Sequence, residues 1–129
     1  MKMSWIRGLP LLLVLTTASC SSITSPRGCS TDYVYAVNVQ VKDSVSNAMS
    51  ASGAQMIARD GIYVDSVSAA ANRPEVDALP LHAAGEREGT YTVTVRKSGF
   101  RDWTRANVQV TKGECHVNAV NLTALLQRL

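Results

Sequence analysis

Between residues 33 and 42, Tyr33, Tyr35, Val37, Val39 and Val41 take alternate positions, with Val34, Ala36, Asn38, Gln40 and Lys42 between them. Successive side chains of a strand point to opposite faces, so this stretch predicts a strand with one apolar face. Asp43-Ser44-Val45-Ser46-Asn47 follows as a turn. Ala54–Arg59 and Ile62–Val67 are short β-prone runs flanking Asp60-Gly61, and a dipeptide that tolerates positive φ between two such runs predicts a hairpin. Thr90–Arg96 is the cleanest alternation, with Tyr91, Val93 and Val95 facing one way.

After a turn at Lys97-Ser98-Gly99, the stretch Phe100–Val110 predicts a further strand with Phe100, Ala106, Val108 and Val110 in phase. Thr111-Lys112-Gly113-Glu114 turns the chain into a last strand, Cys115–Thr123, whose phase slips between Val117 and Val120 and so predicts a bulge there. Leu125, Leu126 and Leu129 form an apolar tail that packs on the domain or on a partner. Residues 68–89 are Ala-rich, are interrupted by Pro74 and Pro80, and contain one short strand around Leu79–Ala83. A connection this long either has structure of its own, carries recognition, or simply crosses between sheets. About seven short strands with frequent turns and almost no helical periodicity predict an all-β fold, an antiparallel β-sandwich of the transthyretin-like or Ig-like kind.

The N-terminus has a different pattern. Lys2 and Arg7 precede the apolar run Leu9–Leu15, which is too short to span a bilayer and has the flanks of a secretory signal. The run closes on Thr17-Ala18-Ser19-Cys20, which resembles the lipobox of bacterial lipoproteins apart from Thr17, where Leu is usual. The resemblance implies a signal peptide over 1–19 and lipidation of Cys20 with thioether-linked and N-acyl chains such as palmitate. The alternative is an ordinary secreted protein whose first cysteine lies near the cut. One acyl chain holds a protein only marginally, at about 0.8 kcal/mol per buried methylene, whereas two or three anchor it firmly. Ser21, where Asp would imply inner-membrane retention, points to a lipid anchor in the outer membrane facing the periplasm. Residues 20–28 read as a flexible Ser/Pro/Gly tether and 29–129 as one domain.

Lys2 and Arg7 leave with the signal, so the formal charge of +3 falls to +1, which argues against nucleic acid as a partner. With Cys20 acylated, Cys29 and Cys115 remain as a pair that an oxidising periplasm would join. Two buried free thiols are the alternative.

Gly89-Thr90-Tyr91-Thr92-Val93-Thr94-Val95, Ser98-Gly99-Phe100 and Val108-Gln109-Val110 with Gly113–Val117 together resemble the bacterial carboxypeptidase regulatory-like domains, which are transthyretin-like sandwiches. The resemblance spans about 29–122 and implies a non-catalytic accessory module with no shared active-site residues to carry over. The chain departs from it at Asp43–Ala48, which lacks the Gly and Pro usual after the first strand. Independently of family, Tyr91 suits a tyrosine corner, its ring buried and its hydroxyl on a backbone partner.

Candidate chemistry is sparse. His82 and His116 are far apart in sequence, too few for a metal centre, and no cofactor is expected. No serine sits in a Gly-x-Ser-x-Gly elbow, and the Glu86/Glu88 and Asp60/Asp65 pairs read as solvated, so no catalytic residue is assigned and no enzyme is expected. Strict alternation after Phe100 would place Trp103 on one polar face with Arg101, Arg105 and Gln109, a candidate binding surface. The competing reading is that Trp103 covers a sandwich edge or is turned inward by a bulge. The expected protein is therefore held to a membrane by its N-terminal lipid and binds an envelope protein, a peptide or a cell-wall component. The alternative is a structural part of an envelope assembly.

Overall fold

The computed structural model describes residues 28–129. The expected signal peptide over 1–19, Cys20 and all but the last residue of the expected tether lie outside the described residues.

Seven strands follow one another: β1 Tyr35–Asp43, β2 Gln55–Asp60, β3 Tyr63–Ser68, β4 Leu81–Gly85, β5 Gly89–Arg96, β6 Trp103–Val110 and β7 Val120–Leu126. They form a sandwich of a three-stranded sheet ordered β4-β1-β7 and a four-stranded sheet ordered β3-β2-β5-β6. All pairings are antiparallel except β1 with β7, which run parallel from Val37 opposite Val120 to Asp43 opposite Leu126. The first strand thus lies at the centre of its sheet, between two strands much later in the chain.

Burial follows the alternation. Val37, Val39 and Val41 of β1 face Met56 and Ala58 of β2 and Tyr91, Val93 and Val95 of β5, all fully buried in one core. Each buried valine or methionine here contributes about 1.5–3 kcal/mol of hydrophobic stabilisation. The β2–β3 hairpin forms where Asp60-Gly61 predicts it, with Gly61 and Ile62 as its loop. Only Gly61 of that pair has positive φ, at 58°, the pattern of a type II′ turn rather than the type I′ usual for Asp-Gly.

The strand predictions fail at two places. β6 begins at Trp103, not Phe100, and carries a bulge: Tyr91 pairs with Val108, but Val93 pairs with Arg105. Asn107, at φ 56°, absorbs the extra residue and reverses the phase, so Ala106 is exposed while Val108 and Val110 point inward. The bulge expected in the last strand is not there. The slip between Val117 and Val120 instead marks the end of the connection that holds Cys115, with β7 starting only at Val120. The C-terminal tail takes the first of its two expected places, on the domain: Leu126 is fully buried, and Arg101 N donates to Gln127 O at 2.8 Å.

The first turn forms without a Gly or a Pro. Asp43 Oδ1 accepts from Val45 N at 2.8 Å and Ser46 N at 3.2 Å, and Asn47 supplies the left-handed residue at φ 58°. Residues 68–89 hold a short 3-10 turn at Pro74–Val76 and then β4, two residues later than expected. Asp77 Oδ1 accepts from Ser52 N at 2.7 Å and pins this connection to the turn before β2.

Tyr91 forms the corner expected of it. Its hydroxyl donates to Arg87 O at 2.8 Å and accepts from Arg87 Nη1 at 2.9 Å. The same guanidinium bonds Asp60 Oδ2 at 2.9 Å and lies 4.0 Å from the Tyr63 ring centre, locking the β4–β5 turn to the hairpin. Cys29 and Cys115 are joined by a disulfide, with Cα atoms 5.2 Å apart, closing the domain across 86 positions of chain.

Candidate functional site

The bulge decides where Trp103 lies. Ahead of it the strand is in the opposite phase, so Trp103 stands opposite Val95 and packs, half-buried, against the core. Arg101 and Arg105 are exposed. Arg101, Asp102 and Trp103 share a recess with Thr104, Leu125 and Gln127, but Arg105 does not line it, and Asp102 is already paired with Arg96 at 3.0 Å. The recess therefore holds the indole beside Arg101 alone of the two arginines.

The outer face of the three-stranded sheet has a more organised surface. The pairings β4–β1 and β1–β7 bring His82, Asn38 and Asn121 into one cross-strand row, with Gln40 and Thr123 in the next row but one. His82 Nδ1 lies 2.6 Å from Asn38 Oδ1, and the imidazole stacks on Tyr35 with ring centres 5.2 Å apart and planes at 27°. Tyr33 meets Tyr35 edge-on at 5.3 Å and lies so close to Gly85 that a Cβ there would overlap its ring. Asn38, Gln40, His82, Asn121 and Thr123 line a groove of about 390 Å³ together with Pro80 and Leu122. Three amides and one hydroxyl thus stand beside a short aromatic stack, and none of the described residues lining the groove is a carboxylate.

A second constellation lies at the disulfide. Ser30 Oγ is 3.0 Å from His116 Nε2, and His116 Nδ1 is 2.7 Å from Glu86 Oε1. The cystine bond sets this up, since Ser30 and His116 each follow one of its two halves. Glu86 comes from the β4–β5 turn, where it has φ 50°, and it is fixed twice to Val34: its N–H donates to Val34 O at 2.8 Å and Oε1 accepts from Val34 N at 2.8 Å. The Val34 N–H bond, with help from His116, holds the Glu86 carboxyl below its ordinary range, although partial burial opposes this. The His116 and Glu86 side chains are only 23% and 30% exposed, in a cleft of about 370 Å³ that Lys112, Asp32 and Tyr33 also line.

Sequence reasoning placed His116 on a strand and Glu86 in solvent, and it did not single out Ser30. The readable signal was the pair of dipeptides Cys29-Ser30 and Cys115-His116, which become neighbours once the cysteines are joined. Set against known proteins, the chain matches no family model and no curated sequence.

Proposed function

We propose that this chain is a lipid-anchored envelope protein, held at a membrane through Cys20, that displays a carboxypeptidase regulatory-like sandwich as a recognition module. Its binding surface is the outer face of the β4-β1-β7 sheet, and its ligand is a cell-wall saccharide. The observation that carries this reading is the row His82–Asn38–Asn121, extended by Gln40 and Thr123 and flanked by the Tyr35–His82 stack. Side-chain amides offer a donor and an acceptor side by side, which suits vicinal hydroxyls, and the flat ring surface suits the C–H face of a sugar. A sandwich of three and four strands with the first strand held between the fourth and the last supports the transthyretin-like part of the reading.

The test is co-sedimentation of the full chain, in detergent, with purified insoluble peptidoglycan. The expected result is retention in the pellet, reduced at least tenfold by Asn121→Ala combined with His82→Ala at unchanged thermal stability. Equal retention of both proteins, or none, would exclude this face. Intact mass of the membrane-extracted protein tests the anchor separately, with a chain that begins at Cys20 and carries acyl mass as the expected result.

A further inference from the structure

We infer that Ser30, His116 and Glu86 form a nucleophile–base–carboxylate relay that takes up the acyl group of small, activated carboxylic esters. This goes beyond the recognition role of the sheet face and concerns a separate site.

A serine hydroxyl is a weak nucleophile unless a base stands within about 2.6–3.2 Å and a third group orients that base. Ser30 Oγ and His116 Nε2 meet the first condition at 3.0 Å, and His116 Nδ1 and Glu86 Oε1 meet the second at 2.7 Å. Each ring nitrogen faces the partner the chemistry needs. An ionised Glu86 only accepts, so Nδ1 carries the proton and Nε2 presents its lone pair to the serine hydroxyl. Such a constellation is recognised by geometry and not by sequence position.

The Cys29–Cys115 bond gives the relay its rigidity. Nucleophile and base are each one residue from a shared covalent link, so the spacing between their backbones is fixed before any substrate arrives. Glu86 is fixed from the other side by its two bonds to Val34.

In the reaction, Ser30 Oγ bonds to the ester carbonyl carbon as its proton passes to His116 Nε2. The bond from that carbon to the leaving oxygen then breaks, and the imidazolium, stabilised by Glu86, returns the proton to the departing alkoxide. Water, deprotonated by His116, attacks the acyl-serine, releases the carboxylic acid and restores the hydroxyl. General-base assistance of this kind contributes about 10²–10⁴-fold. In an open cleft that enhancement suits esters with good leaving groups rather than peptide bonds, whose leaving amines are far poorer.

The experiment treats the full chain, purified in detergent with its disulfide intact, with a fluorophosphonate that phosphonylates activated serines and releases fluoride. The labelled residue is then located by peptide mass. The expected result is one adduct, on Ser30, absent in Ser30→Ala and slowed at least tenfold in His116→Gln. Glu86→Gln keeps an acceptor for Val34 N but removes the charge, so it should slow labelling severalfold at unchanged thermal midpoint. Reduction of the disulfide should slow it as well. Retention of the Cys29–Cys115 bond in each unreduced variant serves as the check on folding. No adduct, an adduct spread over other serines, or a rate unchanged in folded His116→Gln overturns the relay and leaves the saccharide-binding reading untouched.

Discussion

Arg128, the penultimate residue, closes on Asp43 at the end of β1, with Nη2 at 2.6 Å and Nε at 2.8 Å from the same carboxylate oxygen. Asp43 is the buried charged side chain among the described residues, 3% exposed, and its other oxygen is taken by Val45 and Ser46 N–H groups. A buried carboxylate without partners would be strongly destabilising, so the segment after β7 serves the first turn directly. These backbone bonds, more than the arginine, hold the Asp43 carboxyl below its ordinary value of 3.8. Its stabilising effect is therefore complete above about that pH and is lost as pH falls through the lower, folded value. Asp43→Asn should lower the urea midpoint at pH 7, and the gap from the parent protein should narrow below pH 3.8. A gap that stays constant down to pH 2 would mean that the charge is irrelevant.

Tyr91→Phe keeps the buried ring but removes the hydroxyl that joins both the carbonyl and the guanidinium of Arg87. Loss of this partly buried bond should cost about 1–2 kcal/mol. Urea unfolding with an unchanged slope is the expected observation, because the surface exposed on unfolding is the same.

Trp103→Ala should act on stability. The indole packs against the core opposite Val95, so its removal should cost about 2 kcal/mol, roughly half the usual value for a fully buried tryptophan. Arg101→Ala and Arg105→Ala, both exposed, should change stability by less than about 0.5 kcal/mol. Thermal unfolding of the three variants side by side separates a packing residue from a surface cluster.

Replacing Cys29 and Cys115 together by Ala releases a loop spanning 86 positions. The chain-entropy treatment puts the loss at about 4.5 kcal/mol. The pair must be changed together, since a single variant leaves a reactive thiol beside His116. Denaturant unfolding of the double variant against the oxidised parent measures the difference.

What could be read from the sequence was what depends on near neighbours. The alternation Tyr91, Val93, Val95 and the Asp60-Gly61 dipeptide each contain their own instruction, and both elements lie where expected. β6 was misread because its phase depends on a single φ at Asn107. Asparagine tolerates that conformation but does not demand it, and so nothing local announces the bulge. β7 was placed too early because Cys115–Ala119 also alternates, yet it is held by a disulfide and a turn instead of a ladder. The Ser30–His116–Glu86 constellation was further out of reach. It joins three segments separated by 30 to 86 positions, and only the cystine hinted at one of its two bonds.

The position of the cystine also settles how the domain carries load. Among the described residues Cys29 precedes β1 and Cys115 precedes only β7, so a pull applied between Cys29 and Leu129 passes across the sulfur bridge and bypasses β1 to β6. Under tension between Cys29 and Leu129, the fourteen residues after Cys115 can pay out, roughly 50 Å of chain at about 3.5 Å per residue. The loop behind the bridge hides roughly 300 Å more at the same rise. Stretched between those two residues, the oxidised domain yields over a short length, and reduction would turn it into a long, yielding one.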